Sequence, residues 1–167
     1  MSIRPCLPFP NPILKRVSTP VQSVDDQVRA IWADMVDTME AMPGLGLAAP
    51  QIGYNLRLAV VDCSIERGQA ILMANPEILH ASAQMRDHEE ASPNLPGVGA
   101  VIARSRAVMV RYLNGQGLIE ERDFVQVWAT SVQHQIDHLN GKLYFDHLSP
   151  LRRKMLLARA QKLVSRA

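Results

Sequence analysis

Five apolar residues, Val125, Trp128, Val132, Ile136 and Leu139, recur at spacings of three, four, four and three. That period fits one face of an α-helix and no strand. The stretch therefore predicts an amphipathic helix whose apolar face the rest of the chain must cover. Asp123 is the candidate N-terminal cap, and Gly141 stands where a helix C-terminus favours glycine. The same helix carries His134-Gln135-Ile136-Asp137-His138. Residues four apart lie above one another on one face, so the two imidazoles point the same way. Two readings stand: a grip on one metal ion, or structural hydrogen bonding.

In the His-Glu-x-x-His pattern the glutamate is the general base for metal-bound water. Here that position is Gln135. A carboxamide can hold a water by hydrogen bonds, but it takes no proton at neutral pH. Asp137 lies two residues further on and faces elsewhere. The spacing of His80, His88 and His147 favours none of them as a further ligand.

The remaining chain alternates helix and strand signals. Ser23, with Asp26 three residues on, resembles a capping box. Val24, Val28, Ile31, Met35 and Met39 then form one apolar stripe to about residue 41, with the methionines read as core. Pro43-Gly44 ends that helix. Strands are predicted over 56–61, 71–79 (broken by Asn75-Pro76), 98–102, 107–113 and 117–124, with a turn at Asn114-Gly115. Ser149-Pro150 opens a last helix, serine as cap and proline at the first helical position. The pattern predicts an α+β fold with antiparallel or mixed sheet packed around helices.

A length of 167 residues suits one domain, 1–167, with a sizeable core. Hydrophobic residues at 47% and charged residues at 20% exclude global disorder. No stretch has the apolar length of a membrane span, and residues 1–12 lack a signal-peptide core. The expectation is a cytoplasmic protein without a membrane partner. Two cysteines, Cys6 and Cys63, exclude a disulfide scaffold and a Cys-rich zinc module. From Leu151 onward stand Arg152, Arg153, Lys154, Arg159, Lys162 and Arg166, with no acidic residue. Such a tail is either a solvated helix face or a surface for phosphate backbones and acidic partners. Nothing in it specifies DNA.

Residues 44–53 read Gly-Leu-Gly-Leu-Ala-Ala-Pro-Gln-Ile-Gly. No Gly-Lys-Ser/Thr follows and no strand leads in, so this is neither a Walker loop nor a dinucleotide fingerprint. It is a tight backbone path, stiffened by Pro50, on which Gln51 offers an amide to a carbonyl. A substrate-binding loop and a structural turn both fit it.

Together these stretches resemble the peptide deformylase family, metal hydrolases that remove the formyl group from nascent N-formylmethionine. Residues 44–53 match its first motif, and His134–Gly141 matches its third except at Gln135. The second motif, Glu-Gly-Cys-Leu-Ser, corresponds to Glu90-Ala91-Ser92-Pro93-Asn94, with Leu95-Pro96-Gly97 fixing the register. The resemblance implies one such domain, with a central helix carrying His134 and His138 and a C-terminal helix. It implies metal ligation by His134, His138 and the residue at Ser92, and catalytic roles at Gln51 and Gln135. It also implies ribosome contact through the last helix.

Three positions depart from the family pattern. Ser92 replaces a thiolate ligand with a neutral hydroxyl, which should cut affinity for iron, zinc or nickel severely. Pro93 stands where a backbone N–H would steady the oxyanion, and proline has none. Gln135 replaces the proton carrier. His88 is the best replacement ligand in the polar run Asp87-His88-Glu89-Glu90. The expectation is a divergent member with metal binding and formyl-peptide hydrolysis lost or strongly impaired, no firmly held cofactor, and binding of a peptide's N-terminal end retained. The alternatives are an active deformylase or related N-acyl-peptide hydrolase with an altered ligand set, and a ribosome- or peptide-associated interaction protein.

Overall fold

The computed structural model describes residues 2–166. Among these residues three α-helices, α1 (Asp26–Ala41), α2 (Val127–Leu139) and α3 (Pro150–Ser165), combine with seven strands. Strands β1 (Gly46–Ala48), β2 (Leu58–Val61), β3 (Ile71–Ala81), β6 (Ala107–Leu113) and β7 (Ile119–Val125) form one sheet, in the order β1-β2-β3-β6-β7. Strands β4 (Met85–Ser92) and β5 (Leu95–Ser105) form a separate hairpin. Every ladder between these strands is antiparallel. The α+β expectation holds.

Strand alternation divides the core. Ala59 and Val61 of β2 pack toward Val132, Ile136 and Leu139 of α2. Leu58 and Val60 pack on the other face against Val28, Ile31, Met35 and Met39 of α1. A third cluster joins Val98 and Ile102 of β5 to Tyr144, Phe145 and Leu156. Helix α2 is thus covered by the large sheet on one side and the hairpin on the other. Among the described residues, no helix is long and apolar enough to cross a membrane.

Several boundaries differ from the sequence expectation. The α1 cap is Asp25, whose carboxylate accepts from Val28 N–H at 2.9 Å, so Ser23 lies outside the helix. Asp123 does not cap α2, because β7 runs on to Val125 and pairs Asp123 with Met109. The chain turns instead at Gln126, at φ 57, so Val125 is an exposed strand residue rather than the first of the stripe. Strand β2 starts at Leu58, two residues later than expected. Asn75-Pro76 does not break β3. Asn75 takes φ 51 at a register shift, and its side chain exchanges hydrogen bonds with Val21 N and O. Its short amide completes a backbone pairing that the bulge leaves open. Strand β5 is longer than its apolar centre, because β4 pairs along it.

Candidate active site

Helix α2 presents His134 and His138 to the hairpin, as the spacing predicts. Their Nε2 atoms lie 3.1 Å apart. On its other side, His134 Nδ1 meets Glu90 Oε1 of β4 at 2.7 Å. Glu90 also receives two hydrogen bonds from Arg104 of β5, at 2.6 and 2.9 Å. Arg104 in turn donates to Asp137 at 2.8 Å, and Asp137 meets His147 at 2.7 Å. Asp137 therefore faces away from the histidine pair, and His147 serves this outer network. His80 is exposed at the end of β3.

Burial works against charge on Glu90, yet the His134 and Arg104 hydrogen bonds outweigh it and hold its pKa below the ordinary carboxylate value. The carboxylate is then acceptor-only, so His134 Nδ1 carries the shared proton. Complete burial, with His134 alongside, holds His138 well below the usual imidazole pKa. His134 Nε2 and His138 Nε2 share a single proton across their contact, with either ring able to carry it. Among the described residues, His138 Nδ1 is buried without a partner. Tyr144 stacks on the His134 ring, and burial beside Glu90 pushes its phenol up to about 12.

A two-residue turn, Pro93-Asn94, joins β4 to β5, and Ser92 pairs with Leu95 across it. Proline and asparagine both suit such corners. Ser92 Oγ donates to Asn94 Oδ1 at 3.0 Å. Gln51 Nε2 donates to the same oxygen at 2.8 Å and lies 3.5 Å from Ser92 Oγ. Gln51 Oε1 accepts from Ala48 N–H at 2.9 Å, which anchors the amide on its own 3-10 turn, Ala49–Ile52. Asn94 Nδ2 donates to Leu7 O at 2.5 Å and to Gln51 O at 3.2 Å. The N-terminal segment is stitched in further by Leu7 N–H to Gln51 O and Phe9 N–H to Asn94 O, both 2.8 Å. Ser92, Asn94 and Gln51 thus form a closed triangle. Sequence reasoning missed Asn94, whose signal was a turn-forming Pro-Asn pair between two motif residues.

Beside this group opens a cavity of about 280 Å³, lined by Gln51, His88, Glu90, His134 and Gln135 and by apolar residues including Met42 and Val127. Glycine at 46 leaves the space that the Gln135 amide occupies. A Cβ there would stand 2.6 Å from Gln135 Nε2 and 2.7 Å from Ser131 Oγ. His88 reaches the cavity wall, and its Nδ1 has no hydrogen-bond partner among the described residues. Cys6 Sγ lies 3.9 Å from Met42 Sδ, and Cys63 Sγ lies 3.7 Å from Val127 O. Among the described residues, no three His, Cys, Asp or Glu side chains are placed to share an ion.

Residues 3–154 match the family model described as polypeptide deformylase. A peptide deformylase of Phenylobacterium zucineum is 43% identical over 164 residues, covering 97% of each chain. One of Mesorhizobium japonicum is 41% identical over 98% of this chain and 94% of its own. Among solved structures, a peptide deformylase from Legionella pneumophila superposes with a TM-score of 0.90 at 37% identity, covering 99% of both chains. One from Ehrlichia chaffeensis in complex with actinonin gives 0.91 at 30% identity over 97% of this chain and 98% of that one. With a family model matching residues 3–154, relatives this similar over nearly their whole length and a shared fold, the chain belongs to the polypeptide deformylase family.

Proposed function

We propose that this protein is a cytoplasmic, one-domain deformylase relative that receives the N-terminal end of a peptide and hydrolyses it weakly or not at all. The observation that carries this reading is the Ser92-Asn94-Gln51 triangle. In the active family pattern the residue at Ser92 is a metal-binding thiolate and Gln51 steadies the oxyanion. Here the Ser92 hydroxyl is committed to Asn94, and so is the Gln51 amide.

The donor set fits iron, zinc or nickel poorly. Two imidazoles would be joined only by a neutral hydroxyl. Binding through both Nε2 atoms would also require the His138 proton on Nδ1, where no acceptor lies among the described residues. Lack of an N–H at Pro93 removes an oxyanion donor, worth about 3 kcal/mol elsewhere. Lack of a carboxylate at Gln135 removes acid–base help worth roughly 10²–10⁴-fold. These losses act as a unit and do not simply multiply.

Metal analysis of purified protein with a formyl-peptide hydrolysis assay tests the reading. Substoichiometric metal and turnover at least about 10³-fold below a working relative are expected. Stoichiometric metal with ordinary turnover overturns it. Combining Ser92→Cys, Pro93→Leu and Gln135→Glu should raise both metal content and turnover.

The names of the relatives, and structures holding actinonin, favour a second reading over this one: a working hydrolase with an altered ligand set. The Glu90 hydrogen bond that orients His134 supports it too. Anaerobic reconstitution with iron, zinc, nickel or cobalt, followed by the same assay, separates the two. The basic residues of α3, of which Arg152, Lys154, Arg159 and Lys162 are exposed and Arg153 is paired with Asp146, support a ribosome contact, for which salt-dependent cosedimentation, lost when Arg152, Arg153 and Lys154 are neutralised, is the test.

A further inference from the structure

The rim of the cavity just before β1 is held from outside. Residues 43–45 line the cavity, yet the ladder between β1 and β2 begins only at Gly46, paired with Val61. Two backbone bonds reach this stretch: Gly44 N–H donates to Met39 O at 2.8 Å, and Asp62 N–H donates to Leu45 O at 3.0 Å. Side chains add to them. Ser131 Oγ of α2 donates to Leu45 O at 3.0 Å, and Arg67 Nη2 donates to Gly44 O at 2.7 Å. The Arg67 guanidinium reaches two further segments. Nη1 donates to Asp62 O, just past β2, at 2.8 Å. Nε and Nη2 pair with Glu40, near the end of α1, at 3.2 and 3.1 Å. One planar fork thus ties α1, the first motif and the end of β2 together.

The backbone is bent so that this side chain turns inward. Arg67 adopts φ 62 and Gly68 φ 72, and only the second lacks a Cβ. The Asp62 carboxylate, fully buried, closes the loop of residues 62–69 by accepting from Ser64 N–H and Gln69 N–H, both at 2.9 Å. A non-glycine residue in the left-handed region persists where its surroundings over-determine it, and such residues cluster at functional sites. Here the guanidinium contacts supply that hold. Arg67 itself does not line the cavity, and of its acceptors Gly44 is the one that does.

We propose that Arg67 is a positioning residue for peptide binding, holding the Gly44 end of the rim from outside the cavity without touching the peptide. The proposal rests on the peptide-end reading above. Arg67→Asn tests it, because asparagine tolerates the left-handed backbone and removes the guanidinium. Calorimetric titration of the full chain with a formyl-methionyl tripeptide, well below Tm, should show affinity weakened by about tenfold, the effect of one charged hydrogen bond lost. Where the peptide is turned over, the loss should fall on KM, with kcat within about twofold. Amide hydrogen exchange should quicken at residues 44–46 and stay unchanged over α2. Arg67→Lys, a cation too compact to span three acceptors, should recover part of the affinity. Should Arg67→Asn fail to fold, Arg67→Lys carries the test alone, with an expected loss of about threefold. Unchanged affinity in the folded variant, even with a lowered Tm, overturns the proposal while the peptide-end reading stands. A fall in kcat at unchanged KM overturns it as well. Failure of the unaltered protein to bind the peptide overturns the peptide-end reading and the proposal with it.

Discussion

Replacing Arg104 with methionine removes the centre of the charge network under α2. The Arg104 and Glu90 side chains are each 4% exposed, and Asp137 is 19% exposed. Without the guanidinium, Glu90 keeps only His134, whereas Asp137 keeps His147 and some solvent. Removing one partner from a buried ion pair destabilises by about 3–5 kcal/mol, and the surviving contacts put the expected loss at about 3 kcal/mol. For a chain of this size, that lowers Tm by about 6–12 °C. The sign with pH follows from Glu90. Its folded pKa is depressed, so the stability it contributes is present above the ordinary carboxylate value and is lost as pH falls through the depressed one. In the variant, burial acts on Glu90 with less opposition and the carboxylate protonates at higher pH. The gap between wild type and variant should therefore be widest near neutral pH and narrow on acidification. Urea unfolding followed by circular dichroism, at about pH 7 and about pH 5, measures both effects. Adding Glu90→Gln should recover about half of the loss, because the orphaned charge is gone. A loss under about 1 kcal/mol, a gap that ignores pH, or a double variant as unstable as the sum of the singles would refute the reasoning.

Asn94→Ala opens the triangle and leaves Gln51, Ser92 and Leu7 O without their partner, so unfolding experiments should show a loss of about 1–3 kcal/mol. Gly46→Ala drives a Cβ against Ser131 Oγ and the Gln135 amide; formyl-peptide titration should weaken by about tenfold or more while Tm falls only modestly. His138 is neutral when folded, whereas the unfolded chain takes up its proton near pH 6.5. Stability should therefore fall as pH drops below that value, by up to about 1.4 kcal/mol per unit. His138→Gln should flatten the dependence, as read by denaturant midpoints across the range.

The histidine pair and the Gln51 loop were legible because each rests on local geometry. A 3.6-residue period puts two imidazoles on one face, and a Gly-Pro path holds one amide. The fold class followed from apolar periods in the same way. Strand β4 was not legible, because its inward residues are Arg86, His88 and Glu90 and no apolar alternation marks it. Its partners, Arg104 and His134, lie distant in sequence, and only tertiary pairing tells an inward charge from a solvated one. The α2 cap failed for a related reason. Asp123 has the chemistry of a cap, but pairing along β6 keeps it in the sheet. Asn94 was hidden because a turn residue and a site residue look alike until the chain is closed.

The segment around Leu7 and Phe9 contributes no side chain to the histidine pair, yet it is sewn to both Gln51 and Asn94. The frame of the site is therefore assembled from the first ten residues as well as from the three motifs. A nick or deletion there, remote from the motifs in sequence, would loosen the amide cluster directly. An expression tag that displaces residues 7–9 would act as an active-site mutation in all but name.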